Sequence, residues 1–84
     1  MPNTPGPDGF ARSEKEEARI NVLAASILGT AAGGELMDYL RSITTKRVAG
    51  PEVSDQYLRH LEGQRFVVAV LTQRIDLGHK EKSK

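Results

Sequence analysis

The sequence predicts an all-α fold of three helices, and three observations carry that reading. Apolar residues recur at helical spacing in three separate segments, and each segment opens on a residue type that caps helices. The third observation is what is missing: 84 residues without a cysteine must be held by helix packing or by association, since no disulfide or thiolate metal site is available as a staple. The expected helices run over about 14–28, 31–44 and 55–77. They form a helical domain at 13–78, between a flexible N-terminal arm at 1–12 and a basic tail at 79–84.

The arm is read from composition. MPNTPGPDGFAR contains three of the four prolines and two of the eight glycines, a mixture that buries too little to order itself. Ser13-Glu14-Lys15-Glu16 then has the capping-box spacing, in which the serine oxygen accepts from the third amide and Glu16 reaches back to the serine amide. The acidic first turn also suits the positive end of the helix dipole. Ile20, Leu23, Ala24, Ile27 and Ala31 follow at i, i+3, i+4, i+7 and i+11, which predicts the buried face of the first helix. Val22 and Leu28 lie off that stripe and point to a second contact.

Three glycines within Gly29-Thr30-Ala31-Ala32-Gly33-Gly34 interrupt the pattern, each weakening a continuous helix by about 1 kcal/mol relative to alanine. Gly29 reads as a terminator and Thr30 as the next N-cap. The second helix presents Leu36, Met37, Leu40 and Ile43. No lysine follows the glycines in phosphate-loop order and no strand precedes them, so close helix packing is the better use of these small residues. Thr44 to Pro51 has no periodicity and ends in Gly-Pro, the mark of a loop.

Ser54 or Asp55 caps the third and longest helix, with Gly78 in the C-terminal position where a left-handed backbone is tolerated. Phe66-Val67-Val68-Ala69-Val70-Leu71 is β-branched enough to be a strand, yet one strand has nothing to pair with, and Leu58, Leu61, Val68, Leu71 and Ile75 carry helical spacing through it. Apolar nearly all round, this run is expected to be enclosed on more than one side. Two short helices cover only part of it, so another chain is expected to cover the rest. Gly63, just ahead of it, reads as permitting a close crossing or a kink.

Chemistry is absent from the pattern. His60 and His79 are nineteen residues apart with no cysteine to join them, and Glu62, two positions from His60, faces another direction on a helix. No serine has a nucleophile-elbow context. Two tyrosines, two phenylalanines and no tryptophan offer little for stacking bases. The chain is therefore expected to be non-catalytic, with no cofactor and no metal. No apolar run approaches the roughly 20 residues that span a bilayer, and no signal-peptide pattern opens the chain, so a soluble, unexported protein is expected.

The candidate protein-interface residues are Phe10, Val22, Leu28, Phe66, Val67, Val70 and Leu71. A net charge of +1 falls well short of the strongly basic balance of a dedicated duplex-DNA binder. The alternative reading, a small nucleic-acid-binding packaging or regulatory factor, rests on Arg41, Lys46 and Arg47 with Lys80, Lys82 and Lys84.

Two segments together resemble a family of small tailed-phage proteins first named from a short-tailed Bordetella phage. The family pattern is an apolar helix, a Thr-x-x-Gly turn into a Leu-rich helix, and a Glu-Gly-x-Arg motif opening a final apolar helix. Here the matching residues are Leu28-Gly29-Thr30-Ala31-Ala32-Gly33 with Leu36, Met37 and Leu40, then Glu62-Gly63-Gln64-Arg65 with Phe66 to Leu71. The similarity covers roughly residues 20–76. Family members often place aromatic residues ahead of the threonine turn, where this chain has Ile27 and Leu28. The resemblance implies a phage structural or assembly component near the capsid or portal, located in the virion and, during assembly, in the host cytoplasm. It implies as partners copies of the chain itself and other capsid, portal or head-tail proteins. A host-directed inhibitor using the same apolar faces is a third class.

Overall fold

The computed structural model describes residues 4–48 and 50–83. Three helices follow in order: α1 (Glu14–Leu28), α2 (Ala31–Ile43) and α3 (Asp55–Lys82). Each starts on a hydroxyl cap that satisfies an otherwise orphaned amide. Ser13 Oγ accepts from the amide of Glu16 at 3.2 Å, Thr30 Oγ1 from that of Gly33 at 3.0 Å, and Ser54 Oγ from that of Tyr57 at 3.1 Å. Gly29 closes α1, its amide on the Ala25 carbonyl at 3.0 Å, and α2 leaves at 95° to α1.

The C-terminal end of α3 differs from the expectation of a stop at Leu77. Gly78 is no terminator: it is buried inside a helix that continues through Lys82, with Ser83 as its C-cap. The reason is packing. α1 crosses α3 at this point, and a Cβ on Gly78 would collide with the Asn21 carbonyl and lie 2.6 Å from the Ala25 Cβ. Glycine is required for the close approach, and the helix keeps its backbone pattern through it.

The face of α1 that is buried also differs. The expected stripe places Leu23 and Ile27 inward, yet Ile27 is 66% exposed and Leu23 about half exposed, while Asn21 and Ala25 are buried. The rotation follows from the same crossing, since the small Ala25 and the polar Asn21 fit against Gly78 and Arg74, where Leu23 or Ile27 would hold the helices apart. α2 lies back along α3, with Arg41 Nη2 donating to Thr72 Oγ1 at 3.1 Å and Met37 only 1% exposed.

The resulting core is thin. Among the described residues its buried apolar side chains are Ala25, Met37, Leu61 and Val68. The molecule measures 47 × 35 × 13 Å with a radius of gyration of 15.1 Å, against about 12 Å for a compact domain of this length. It exposes 6266 Å², about a quarter more than the roughly 4,900 Å² typical of a monomer of its mass.

Within the arm expected at 1–12, residues 4–12 make a closed turn. The Gly6 amide donates to the Phe10 carbonyl and the Gly9 amide to the Gly6 carbonyl, both at 2.9 Å. Gly9 has φ 87°, a left-handed conformation that costs glycine little. Phe10 projects outward at the tip, with Arg12 over its ring at 5.6 Å.

Candidate docking surface

Two features organise the surface: a buried ionic cluster that sets the helices, and apolar faces that the chain leaves uncovered. The cluster centres on Arg74, whose side chain is 3% exposed. Its guanidinium pairs with the Glu17 carboxylate, donates to Asn21 Oδ1 at 2.9 Å and reaches Asp8 Oδ2 at 3.3 Å. Arg12 bridges the same acids, 2.8 Å from Asp8 and 3.6 Å from Glu17. A buried cation is tolerable only when charge and hydrogen bonds compensate it, so α1, α3 and the arm turn are placed by one residue. The amide of Phe10 donating to its carboxylate lowers the pKa of Asp8 from 3.8, with Arg12 and Arg74 adding to the effect against partial burial.

A second arginine ties the loop after α2. Arg65 donates to the Thr44 carbonyl at 3.1 Å and to the Arg47 carbonyl, and pairs with Glu62, the latter two at 2.6 Å. The polar group around Gly63 thus includes an intrachain anchor. A methyl added at Gly63 would meet nothing within 4 Å, so neither α1 nor α2 crosses α3 there.

The interface candidates separate into two groups. Phe10, Phe66 and Val67 are exposed, at 67%, 53% and 56%, while Val22, Leu28, Val70 and Leu71 are half-buried. Of the Phe66 to Leu71 run only Val68 is buried, so the chain encloses it on one side alone. Val67 and Val70 sit one turn apart beside Phe66 and form a continuous apolar surface on α3.

Sequence reasoning missed a second apolar surface. Leu23 and Ile27 of α1 and Leu36, Tyr39 and Ile43 of α2 are all exposed. A signal was present: from Ile20 to Gly34 the sequence carries no charge, and such a stretch spanning a helix corner reads equally well as core. No single described helix is long and apolar enough to cross a membrane, although α1 and α2 taken together across their 95° bend reach that composition.

The cationic candidates do not form one patch. Arg41 is engaged by Asp38 at 3.2 Å and by Thr72, and Arg47 lies over the Tyr57 ring at 5.5 Å. Lys46 is exposed in the loop. Lys80 and Lys82 are in the last turn of α3, about 15 Å along the helix from Thr72 to residue 82 at the usual rise. Lys84 lies outside the described residues.

Comparison with known proteins shows no similarity to a described protein family, to a curated protein or to a solved structure. The class that the fold and surface define is therefore a small three-helix protein with a thin core and uncovered apolar faces.

Proposed function

We propose that this chain is a non-catalytic phage structural or assembly protein: a multi-copy virion component near the capsid or portal, docked through its apolar helix faces and present in the host cytoplasm during assembly. The observation that carries this reading is the uncovered surface of α3 at Phe66, Val67 and Val70. It lies in the Phe66 to Leu71 run, directly after the Glu62-Gly63-Gln64-Arg65 motif, within the segment that resembles the phage family. Half-exposed apolar side chains gain roughly 1 kcal/mol each when a partner completes their burial, and repetition around a symmetric shell supplies such a partner many times over. The alternative, nucleic-acid binding, has less support, because Arg41 and Arg47 already have partners within the chain.

The test is retention. The protein should stay with purified particles at a fixed copy number, and Val67→Glu should release it into the soluble lysate without loss of helix content. Recovery only from the soluble fraction in the wild type would refute the proposal.

A further inference from the structure

We infer that the arm turn, residues 4–12, is a hinged strap: it lifts off α1 and α3 as one preformed unit, pivoting at Arg12 and Ser13, and uncovers the cleft between the two helices. The inference concerns the strap alone and is independent of the partner that the apolar faces take.

The strap holds its own shape. The Gly6 amide donates to the Phe10 carbonyl and the Gly9 amide to the Gly6 carbonyl, both at 2.9 Å. The Phe10 amide donates to Asp8 Oδ1 at 3.0 Å, Arg12 pairs with Asp8 at 2.8 Å, and an antiparallel bridge between Pro5 and Ala11 closes the turn at its base. Each of these partners belongs to the turn itself, so its fold does not depend on the helices.

Its hold on the helices is looser. Asp8 reaches Arg74 at 3.3 Å and Arg12 reaches Glu17 at 3.6 Å, both beyond the roughly 2.7–2.9 Å of a strong charge-assisted bond. Asp8 and Arg12 keep 22% and 29% of their side-chain surface in water, and pairs with that much solvent contribute little. The one large apolar side chain of the strap, Phe10, projects outward at 67% exposure and adds no anchor. Separation therefore falls at the seat, before the bonds inside the turn break.

The seat is a close fit rather than a strong one. A Cβ on Gly6 would collide with the Glu17 carboxylate, which Arg74 holds in place, so the strap rests there only because residue 6 has no side chain. Gly6 does not have a positive φ, and alanine fits the turn itself. Beside the seat, a cleft of about 1120 Å³ runs between the strap, α1 and α3, with Ala18, Asn21 and Leu77 in its lining. Lifting the strap leaves the pairing of Arg74 with Glu17 intact between the helices and opens this lining to solvent.

Paramagnetic relaxation measured by NMR on the full chain tests the inference. The chain has no cysteine, so a nitroxide on Lys80→Cys labels a single exposed site on α3, beside the cleft residues Leu77 and Glu81. It should broaden the Gly6, Asp8 and Gly9 amides at low salt. Raising salt from about 0.01 M to about 1 M, which shortens the screening length from roughly 30 Å to about 3 Å, should cut that broadening at least threefold. Adding Gly6→Ala should do the same without added salt. In both cases circular dichroism should be unchanged, and the strap amides should keep their dispersed shifts and move together. Four results would overturn the inference: strap amides that are never broadened, broadening that survives either salt or Gly6→Ala, strap shifts that collapse to random-coil values because the turn melts instead of lifting, or a loss of helix content alongside the change.

Discussion

Replacing Arg74 by methionine is the most informative single perturbation of this fold. The arginine is 3% exposed and holds Glu17 on α1, Asn21 one turn later and Asp8 on the arm. Removing one member of a buried pair costs about 3–5 kcal/mol, because the remaining charge is left desolvated. Glu17 retains 18% exposure and recovers some water, which puts the loss at the lower end, about 3 kcal/mol. A core this small supplies only about 3–5 kcal/mol in all, so Arg74→Met should leave much of the chain unfolded at room temperature. The compensating variant is Arg74→Met with Glu17→Met, which substitutes apolar contact for the pair and should recover stability to within about 1 kcal/mol of wild type. Urea unfolding followed by circular dichroism at one fixed protein concentration measures both, since association itself shifts apparent stability. A loss below about 1 kcal/mol for the single variant, or a double variant less stable than the single, would show that the cluster does not organise the helices.

The two glycines of α3 should respond in opposite directions. Gly78→Ala forces a methyl into the Asn21 carbonyl and Ala25 and should destabilise by about 2 kcal/mol or more, as overpacking does. Gly63→Ala meets open space and should stabilise the isolated chain by about 1 kcal/mol in the same urea titration. Thr30→Ala removes the acceptor for the Gly33 amide and should cost about 1 kcal/mol, lowering the thermal midpoint. Acid should loosen the arm. Asp8 has its pKa lowered from 3.8 by the Phe10 amide and the arginines, so its contribution is complete above that value and is lost as pH falls through the lower folded one. Hydrogen exchange at the Gly6 and Phe10 amides should therefore rise, relative to the intrinsic rate, only below about pH 4. Protection that falls between pH 7 and pH 5 would exclude Asp8 as the latch.

The fold class and helix starts were legible because their causes are local. Ser13, Thr30 and Ser54 each accept from an amide three residues on, and Gly29 ends α1 through a bond to Ala25, all within four positions of sequence. The direction each helix faces is not a local property. The stripe of Ile20, Leu23, Ala24 and Ile27 reads as core, yet burial fell to Asn21 and Ala25 because Gly78 and Arg74 stand opposite them. No window of the sequence contains both Glu17 and Arg74, which are 57 positions apart. The same distance effect hid the end of α3, where Gly78 has the composition of a terminator and the surroundings of a helix crossing.

The candidate surface divides along the same line. Phe66 and Val67 were legible as candidates because six consecutive apolar positions exceed what one side of a helix buries. Leu36, Tyr39 and Ile43 were not, since amphipathic spacing says that a stripe seeks cover without saying whether the chain itself supplies it. By itself the sequence determined three capped helices, the breaks between them and a surplus of apolar surface, through interactions that span a turn or less. Which apolar stripes went inside was decided only by the tertiary structure, where one buried arginine and one glycine fix the crossing of α1 on α3 and so leave the rest facing outward.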